Sequence, residues 1–244
     1  MVAKRKTVVV IPARLDSKRL PKKMILEIAG KPLLYYTWSA ALKTGFEVFI
    51  ATDSGLIASK MQEFGANVVL TGKAGCGTER VAMAVDEIGL SERDVVVNLQ
   101  GDEPFIEAEV VREVAKEAAT FGCIATAATY LSEDEAQNPA KVKVVLDKDG
   151  YAMYFSRAAI PYARDERKEG FLLHIGIYAY PAKTLKEIAS LDSCPLEETE
   201  KLEQLRWMWH GYRVKVVYTS YKPFGVDTME DYERFKSFVE KSTE

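Results

Sequence analysis

The segment TVVVIPARLDSKRLPKK, residues 7–23, decides the fold class, because a short apolar run leads straight into a strongly basic loop. The β-branched run at residues 7–12 predicts a buried strand. An amphipathic stretch at 31–43 predicts a helix, and Pro32 suits its first turn. Strands and helices continue to alternate through the first half of the chain. This rhythm predicts parallel strands with right-handed crossovers and helices on both faces of the sheet.

The remaining elements follow from the same apolar periodicity. In the first half, strands are predicted at 48–52, 67–70, 94–99 and 123–129, and helices at 55–64, 78–88 and 107–120. In the second half, strands are predicted at 142–146, 151–156, 175–180 and 214–219, and helices at 196–210 and 228–241. An Asp-Gly turn joins the first two of these later strands into a hairpin, and the charged run at 163–170 is expected to be an exposed loop. We therefore expect one α/β domain over residues 1–244 with an antiparallel insertion.

Composition and charge exclude several classes of protein. Of the 244 residues, 48% are hydrophobic and 28% are charged, as in an ordinary globular domain. The 33 Lys and Arg against 36 Asp and Glu give a net charge of −3, which argues against a nucleic-acid-binding protein. Three cysteines and two histidines without metal-ligand spacing argue against a zinc site and for a reducing compartment. No apolar run reaches the ~20 residues of a membrane span, so we expect a cytoplasmic protein without membrane insertion.

The basic loop after the first strand is the first candidate site. Its polar residues are Arg14, Asp16, Ser17, Lys18, Arg19, Lys22 and Lys23. In open α/β sheets, ligands bind beyond the carboxyl ends of the strands. Arg and Lys side chains at that position neutralise phosphate oxygens, so the loop is predicted to hold a polyanion. The alternative is a charged loop that is simply solvated.

The second candidate site follows the predicted strand at 94–99. There Gly101 permits the backbone to approach a ligand closely, and Asp102 stands at the end of the strand that faces the ligand. Carboxylate oxygens combined with phosphate oxygens suit a hard cation such as Mg²⁺. Asp227, before the last predicted helix, is a second candidate ligand, although an Asp in that position is also a common helix N-cap.

A glycine-rich stretch, GKAGCGT at 72–78, lacks the Lys that a phosphate-binding P-loop carries between its last Gly and its hydroxyl residue. Its backbone groups are still available to a base or a ribose. Cys76, within this stretch, has no partner His within reach in the sequence. This favours a small packing residue over a nucleophile.

Eight motifs follow one another along the chain: PARLDSKRLPKK at 12–23, ATD at 51–53, GTER at 77–80, NLQGDEP at 98–104, YAMYFSRAAIPY at 151–162, HIGIYAY at 174–180, LEQLR at 202–206 and GVDT at 225–228. Together they resemble the 3-deoxy-manno-octulosonate (Kdo) cytidylyltransferase family. The first motif is shared with acylneuraminate cytidylyltransferases. The motifs YFSR…IPY, HIGIYAY and LEQLR are specific to the Kdo branch.

The resemblance implies an enzyme that transfers CMP from CTP to the anomeric hydroxyl of a sugar acid and releases pyrophosphate. It implies a nucleotide-binding open mixed sheet with helices on both faces, similar to that of glycosyltransferase-A enzymes. An inserted region at roughly 130–195 would serve sugar binding and homodimerisation. It further implies Mg²⁺ as the cofactor and a place in lipopolysaccharide biosynthesis.

The resemblance also implies roles for individual residues. The positions that match the CTP site are Ala13, Arg14, Ser17, Arg19, Lys23, Gly77, Thr78, Arg80 and Gln100. Asp102 and Asp227 match the two carboxylates that hold Mg²⁺, and with Arg14 and Lys23 they form the catalytic set. The positions that match the sugar-acid pocket are Arg157, His174, Tyr178, Glu203 and Gln204.

Two positions depart from the family pattern. The family commonly has Ser where this chain has Cys76, and a basic residue where it has Leu173, directly before His174. The loss of that positive charge raises the hypothesis that the substrate is an amino-substituted Kdo, because repulsion of an amine would fall. The alternative is that residue 173 points into the core or solvent and Kdo is the substrate. For His174, the alternative to a sugar-binding role is a hydrogen-bonded core histidine.

Two further readings stay open. The first is another nucleotide-using transferase, either an acylneuraminate cytidylyltransferase, which the Kdo-type motifs disfavour, or a glycosyltransferase on the same sheet. The second is a non-catalytic nucleotide-binding protein. The joint presence of Lys23, Asp102 and Asp227 argues against the second reading.

Overall fold

The computed structural model of the protein describes residues 5–17, 19–165 and 170–242. The strands are β1 (Thr7–Ala13), β2 (Glu27–Ile28), β3 (Lys31–Pro32), β4 (Glu47–Thr52), β5 (Asn67–Leu70), β6 (Val95–Asn98), β7 (Ile124–Leu131), β8 (Lys143–Leu146), β9 (Ala152–Ser156), β10 (Phe171–Pro181) and β11 (Val214–Thr219). The helices are α1 (Leu33–Leu42), α2 (Gly55–Gln62), α3 (Gly77–Ile88), α4 (Ala108–Phe121), α5 (Glu133–Ala136), α6 (Ala182–Ala189), α7 (Pro195–Glu200), α8 (Gln204–Trp209) and α9 (Met229–Lys241). A short 3₁₀ helix covers Lys23–Ile25.

One mixed sheet organises the molecule. Its main path runs β11–β7–β10–β6–β1–β4–β5, and β8 and β9 pair beside it. Strand β1 is parallel to β4 and β6, β4 is parallel to β5, and β11 is parallel to β7. Strand β10 is antiparallel to both of its neighbours, β6 and β7. The carboxyl ends of β1, β4, β6 and β7 therefore lie along one edge of the sheet, where a ligand site is expected.

Burial on both faces of the sheet explains the apolar run in β1. Val9 and Ile11 contact one core, and Val8 and Val10 contact a second core on the opposite face. All four side chains are fully buried, as alternation along a strand requires when both faces are covered. Helices α1, α2 and α4 contribute to the first core, and α3, α6 and α8 contribute to the second. The predicted mixed α/β sheet with helices on both faces is confirmed.

The second half of the chain contains the predicted hairpin and one long strand of the main sheet. Strands β8 and β9 pair antiparallel, and β8 contacts β10 through the pair Lys143 and Leu173. Strand β10 starts beside β8 and then passes between β6 and β7. Residues 171–181 thus lie in the central sheet, although they fall within the range expected for the inserted region.

The prediction of one helix over 196–210 is wrong. Helix α7 ends at Glu200, and α8 begins at Gln204. Lys201 between them has a φ of +54°, in the left-handed region that does not continue a helix. The break lets Leu202 and Leu205 both pack into the core beneath the sheet, so tertiary packing overrides a sequence that is apolar at helical spacing.

Smaller differences occur elsewhere. Lys31 and Pro32 form the short strand β3 rather than the first turn of the predicted helix. Helices α5 and α6 were not predicted. Lys18 and residues 166–169 of the charged run lie outside the described residues, and the flanking Arg164 and Asp165 are exposed. Within the described part of the chain, no helix is both long enough and apolar enough to cross a lipid bilayer.

Candidate active site

A cavity of about 500 Å³ opens at the carboxyl ends of β1 and β6. Four segments form its walls: the loop after β1, the start of α3, the loop after β6 and the segment before α9. The predicted site residues in its lining are Ala13, Arg14, Ser17, Arg19, Lys23, Gly77, Arg80, Gln100, Asp102 and Asp227. The basic loop after β1 and the loop after β6 that carries Asp102 are far apart in the sequence, and both line this cavity.

Lys23 lies at the centre of the charged groups in this cavity. Its Nζ atom is 2.5 Å from Oδ2 of Asp102 and 2.9 Å from Oδ1 of Asp227. The lysine is buried, whereas Arg14 and Arg19 are exposed at the cavity mouth. Burial alone would lower the pKa of Lys23, but the carboxylates of Asp102 and Asp227 raise it above its ordinary value. The lysine is therefore positively charged at neutral pH.

Asp227 is not the N-cap of the last helix. Thr228 occupies that position, and its hydroxyl accepts a hydrogen bond from the amide of Asp231 in a capping box. The carboxylate of Asp227 instead contacts Arg19, at 3.0 Å, and Lys23. Capping thus fixes the chain just beyond Asp227 and leaves its carboxylate in the cavity.

The loop after β6 is held by backbone contacts. The amide of Val226 donates to the carbonyl of Asp102, which ties the segment before α9 to this loop. The hydroxyl of Thr37 donates to the carbonyl of Gly101 at 2.9 Å. A Cβ atom at Gly101 would lie 3.1 Å from side-chain atoms of Leu34 and Met24, so glycine permits the close approach of the loop to α1.

Glu103 was not singled out in the sequence, although it stands beside Asp102 in the NLQGDEP motif. Its carboxylate accepts a hydrogen bond from the Tyr221 hydroxyl at 3.3 Å and another from the amide of Phe224. Burial, followed by the charge of Asp102, raises its pKa to about 7. The Glu103 carboxyl is therefore hydrogen-bonded to the segment at 221–224 that leads to Asp227.

The start of α3 forms the opposite wall of the cavity. Cys76 is the N-cap residue of α3, and its Sγ atom accepts from the amide of Glu79. The thiol also contacts Oε1 of Glu203 at 3.1 Å. Burial and the neighbouring carboxylate of Glu203 raise the pKa of the thiol to about 12, which suits a packing and capping residue rather than a nucleophile.

The guanidinium group of Arg80 is held by protein partners. It contacts Asp53 at 2.9 Å and donates to the hydroxyl of Thr71 at 2.8 Å. Asp53 and Thr71 follow β4 and β5, so Arg80 joins the ends of these strands to α3. Thr78, the next residue of α3 after Gly77, is buried and is not among the residues that line the cavity.

Four of the predicted sugar-acid residues, His174, Tyr178, Glu203 and Gln204, occupy a more buried region beside the cavity. The rings of His174 and Tyr178 are 5.4 Å apart, and Phe155 packs edge-on against His174. Glu203 bonds to Cys76 and Thr78, and burial raises its pKa. The Nε2 atom of Gln204 and the hydroxyl of Tyr178 are buried without a hydrogen-bond partner among the described residues.

Arg157 is placed differently from the other four predicted sugar-acid residues. Its Nε atom donates to the carbonyl of Glu200 at 2.7 Å, and its Nη1 atom donates to the carbonyl of Pro139 at 3.0 Å. Its amide and the hydroxyl of Ser156 both donate to the Glu200 carboxylate. Among the described residues, no hydrogen bond joins Arg157 to His174, Tyr178, Glu203 or Gln204.

Comparison with known proteins places this arrangement in a family. The family model described as "Cytidylyltransferase" matches residues 8–217. The 3-deoxy-manno-octulosonate cytidylyltransferases of Coxiella burnetii (strain Dugway 5J108-111) and Pasteurella multocida (strain Pm70) are 43% and 40% identical to this chain. The alignments cover 94% and 96% of this chain, and 98% of each relative. The chain belongs to the 3-deoxy-manno-octulosonate cytidylyltransferase family.

A solved structure of a CMP:2-keto-3-deoxy-manno-octonic acid synthetase complexed with CTP has the same fold. It superposes with a TM-score of 0.91 at 35% identity, and the match covers 97% of this chain and 99% of that chain. The resemblance inferred from the motifs is therefore confirmed. Because the relatives bear the Kdo cytidylyltransferase name, the other transferase readings and the non-catalytic reading are not favoured.

Leu173, which departs from the family pattern, packs into a small apolar cluster. The cluster contains Leu131, Ala136 and Phe171. This is the core-facing alternative considered for residue 173, so its geometry gives no support to an amino-substituted substrate.

Other members of the site gave little or no signal in the sequence. Lys143 is fully buried, and its Nζ atom donates to the carbonyls of Asn138, Lys141 and Arg157. A lone Lys within the apolar strand at 142–146 is the one local sign of this role. Thr126, buried within β7, had no such sign because small polar residues are common in strands.

Proposed function

We propose that this protein transfers CMP from CTP to the anomeric hydroxyl of Kdo or a close derivative and releases pyrophosphate. The observation that carries the proposal is the cavity at the sheet edge, where Lys23 bridges Asp102 and Asp227 beside a basic loop. Membership of the family supports the reaction class, and the names of the relatives support Kdo as the acceptor.

The basic loop accounts for binding of the triphosphate. Attack on the α-phosphorus increases negative charge on the phosphate oxygens and on the departing pyrophosphate. Fixed positive groups stabilise that charge without reorganising during the reaction. We assign Lys23 and Arg14 to the α-phosphate and the leaving group, and Arg19 and Ser17 to the remaining triphosphate oxygens.

The base and the ribose face the start of α3. Gly77 lies in that wall, Ala13 and Gln100 line the cavity at the ends of β1 and β6, and Arg80 is held by Asp53. Gly77 lies against Pro12: a Cβ atom at Gly77 would be 3.5 Å from the proline ring. The side chain of Thr78 is hydrogen-bonded to Glu203 and Tyr180, which fixes this end of α3. A wall fixed in this way presents backbone groups to cytidine in one orientation.

Asp102 and Asp227 suit a magnesium ion. Their carboxylates converge on one cation, the ammonium group of Lys23, which shows that the pair accommodates positive charge between them. Hard carboxylate oxygens, completed by phosphate oxygens and water, are the donors that Mg²⁺ prefers. When bound, Mg²⁺ would neutralise phosphate charge and orient the acceptor hydroxyl.

His174, Tyr178, Glu203 and Gln204 are assigned to the sugar acid. Burial lowers the pKa of His174 to about 3, so its ring is neutral and binds through hydrogen bonds rather than charge. Tyr178 and Gln204 carry buried polar atoms that lack a protein partner among the described residues. Such atoms gain most from a ligand that supplies the missing bond. Arg157 is assigned to the rim of this pocket, held by Glu200.

Family resemblance supports three further assignments. The protein is assigned to a homodimer formed through the region at roughly 130–195. It is also assigned to the cytoplasm, and its product to lipopolysaccharide biosynthesis. Light scattering at micromolar concentration is expected to give twice the chain mass of 27.3 kDa. A mass equal to one chain would contradict the dimer.

The proposed reaction is tested by measuring pyrophosphate release with CTP, Mg²⁺ and a panel of sugar acids. We expect release with Kdo, and little with an acylneuraminate, with UTP in place of CTP, or without a sugar acid. Equal rates with an acylneuraminate would indicate the other branch of the family. No release with any sugar acid, from protein shown to be folded, would contradict an enzymatic role.

A further inference from the structure

Strand β10 contains an irregularity that Thr126 fills. The pairing of β10 with β7 shifts register between Ile175 and Tyr178. At that point the Oγ1 atom of Thr126 lies 2.7 Å from the carbonyl oxygen of Ile177 and 3.2 Å from that of Ile175. The same Oγ1 atom lies 3.0 Å from Nε2 of His174. Thr126 is fully buried, so these contacts are shielded from water.

Counting protons assigns the direction of each bond. A threonine hydroxyl has one proton to donate, and a backbone carbonyl only accepts. The hydroxyl proton of Thr126 therefore points to a carbonyl oxygen, with Ile177 the closer. The contact with His174 is then a hydrogen bond only if Nε2 carries a proton and donates it to Thr126. In a neutral ring this leaves Nδ1 as an acceptor.

The ring has little freedom to turn away from this arrangement. Phe155 packs edge-on with its centroid 4.9 Å from that of the imidazole, and Tyr178 packs at 5.4 Å. Among the described residues, Thr126 is the hydrogen-bond partner of the ring. Burial keeps the ring neutral at physiological pH.

The position of His174 connects this arrangement to the active site. Strand β10 runs antiparallel to β6, with Tyr178 opposite Asn98 at the carboxyl end of β6. Residues of β10 before Tyr178 therefore extend past that end, toward the cavity edge. Gly176 lies there beside Gln100, a cavity residue.

We propose that Thr126 is a positioning residue that holds His174 in the Nε2-protonated tautomer, so that Nδ1 accepts a hydrogen bond from a hydroxyl of the sugar acid. This rests on the proposed function, which assigns His174 to the sugar-acid pocket. A fixed acceptor binds a hydroxyl donor and discriminates against a group that cannot donate. Thr126 thereby contributes to substrate choice without touching the substrate.

Nitrogen NMR tests the tautomer directly. The chain has two histidines, so the exposed His210→Gln leaves one imidazole to observe in protein labelled with ¹⁵N-histidine. We expect Nε2 to resonate as a protonated nitrogen and Nδ1 as an unprotonated one at pH 7. A protonated Nδ1, or a mixture of tautomers, would overturn the proposal by itself.

Kinetics of Thr126→Val test the consequence for the sugar acid. Valine keeps the shape but removes the hydroxyl, so the single tautomer is expected to be lost. We expect KM for the sugar acid to rise about 10-fold, because loss of a group that orients a binding side chain weakens affinity by about 10- to 100-fold. KM for CTP is expected to stay within about 3-fold. Thr126→Ser is expected to restore the tautomer and KM. Thr129→Val, another buried threonine of β7, is the matched control and is expected to change neither.

The outcomes separate this proposal from the proposed function. An unchanged tautomer or an unchanged KM for the sugar acid in folded Thr126→Val would overturn the positioning role. Urea unfolding checks the fold of each variant. If Thr126→Val does not fold, the spectrum of the unmutated protein still tests whether His174 is the Nε2-protonated tautomer. Failure of the unmutated protein to use any sugar acid would overturn the proposed function instead, while the spectra of the unmutated protein and of Thr126→Val would still decide whether Thr126 sets the tautomer.

Discussion

The two halves of the candidate active site hold polar groups in opposite ways. The nucleotide half comprises Arg14, Ser17, Arg19, Lys23, Cys76, Gly77, Arg80, Gln100, Asp102, Glu103 and Asp227. The sugar half comprises Thr126, Lys143, Arg157, His174, Tyr178, Glu200, Glu203 and Gln204. The first half pairs opposite formal charges at an open cavity. In the second half, the cationic side chains of Lys143 and Arg157 donate to backbone carbonyls, and neutral rings and amides stand beside them.

The difference reflects what each half would bind. A triphosphate carries several charges, and fixed cations stabilise it even near water. A sugar acid has one carboxylate and several neutral hydroxyls, and the hydroxyls are recognised by directional hydrogen bonds in a dry setting. Tyr178 and Gln204 each bury a polar atom without a partner among the described residues. Leaving such an atom unbonded costs about 1–3 kcal/mol, so the sugar half gains specificity at some expense of stability.

The largest expected effect tests whether the nucleotide half depends on charge. Asp102→Asn keeps the shape of the side chain but removes the negative charge that faces Lys23. We expect kcat to fall about 100- to 1,000-fold, as when a preorganised polar group is removed from an active site. The fold should stay cooperative because Asp102 is a cavity residue rather than part of the apolar core. Steady-state pyrophosphate release measures kcat, and urea unfolding monitors the fold.

Glu109→Gln is the matched control for this prediction. Glu109 is an exposed carboxylate at the start of α4 that pairs with Arg112. Its neutralisation is expected to change kcat by less than about 2-fold, as for surface changes in general. Near-normal Mg²⁺-dependent activity in Asp102→Asn would show that charge at this position is not required. The contrast between the two halves would then lose its main support.

Much of the nucleotide half could be predicted from sequence. Arg14 to Lys23 follow the first strand directly, and Asp102 follows another. In a parallel sheet the ends of such strands lie along one edge, so local order in the sequence translates into proximity. Glu103 was missed because its role depends on Tyr221, which lies 118 residues away and carries no motif.

The sugar half could not be derived from local patterns in the same way. Glu203 reaches Cys76 across 127 residues, and it does so because the helix breaks at Lys201. His174 meets Thr126 at a register shift in β10. Breaks and bulges are set by packing against distant strands, which apolar periodicity does not encode. Family motifs pointed to five residues of the sugar half, Arg157, His174, Tyr178, Glu203 and Gln204, but not to partners such as Thr126 and Lys143.

A second prediction tests whether carbonyl contacts stabilise the sugar half. Lys143→Met fills a similar volume but leaves the carbonyls of Asn138, Lys141 and Arg157 without the ammonium donor. We expect the free energy of unfolding to fall by about 2–4 kcal/mol, because buried acceptors lose their partners. KM for the sugar acid should rise while KM for CTP stays nearly constant. Urea unfolding and steady-state kinetics measure these effects.

Lys141→Met is the control for Lys143. Lys141 is half-exposed and pairs with Glu135, while its carbonyl remains available to Lys143. Loss of a surface ion pair is expected to cost less than about 1 kcal/mol. If the two variants were equally stable, Lys143 would not be the group that holds these loops together.

A third prediction concerns Glu103, the carboxyl of the nucleotide half whose pKa is raised to about 7. Burial raises the pKa of Glu103 to about 7 in the folded protein, whereas the pKa of an unfolded glutamate stays near its ordinary value of 4.5. Between these values the folded state binds the proton more tightly than the unfolded state. Stability from this group is therefore full below about pH 4.5 and is lost as pH rises through about 7.

The measurement is urea unfolding across this pH range in the absence of divalent cations. We expect Glu103→Gln, a neutral isostere, to remove a pH-dependent contribution of about 1–3 kcal/mol. The difference between the two proteins should be larger at pH 8 than at pH 5.5. Parallel stability curves for the two proteins would show that Glu103 is ionised throughout this pH range, like the other carboxylates of the nucleotide half.

The smallest expected effect lies at the boundary between the halves, where Cys76 contacts Glu203. Serine, the common residue of the family at this position, caps helices well and retains a donor for Glu203. We expect Cys76→Ser to change KM for CTP and for the sugar acid by less than about 3-fold, whereas Cys76→Ala should lose about 1 kcal/mol of stability with the cap.

Because burial raises the pKa of the Cys76 thiol to about 12, alkylation of Cys76 in the folded protein at pH 8 should be much slower than in the unfolded chain. Rapid alkylation of Cys76 with loss of activity would show an exposed thiolate. Cys76 would then be a reactive group rather than a helix cap that is hydrogen-bonded to Glu203 between the two halves.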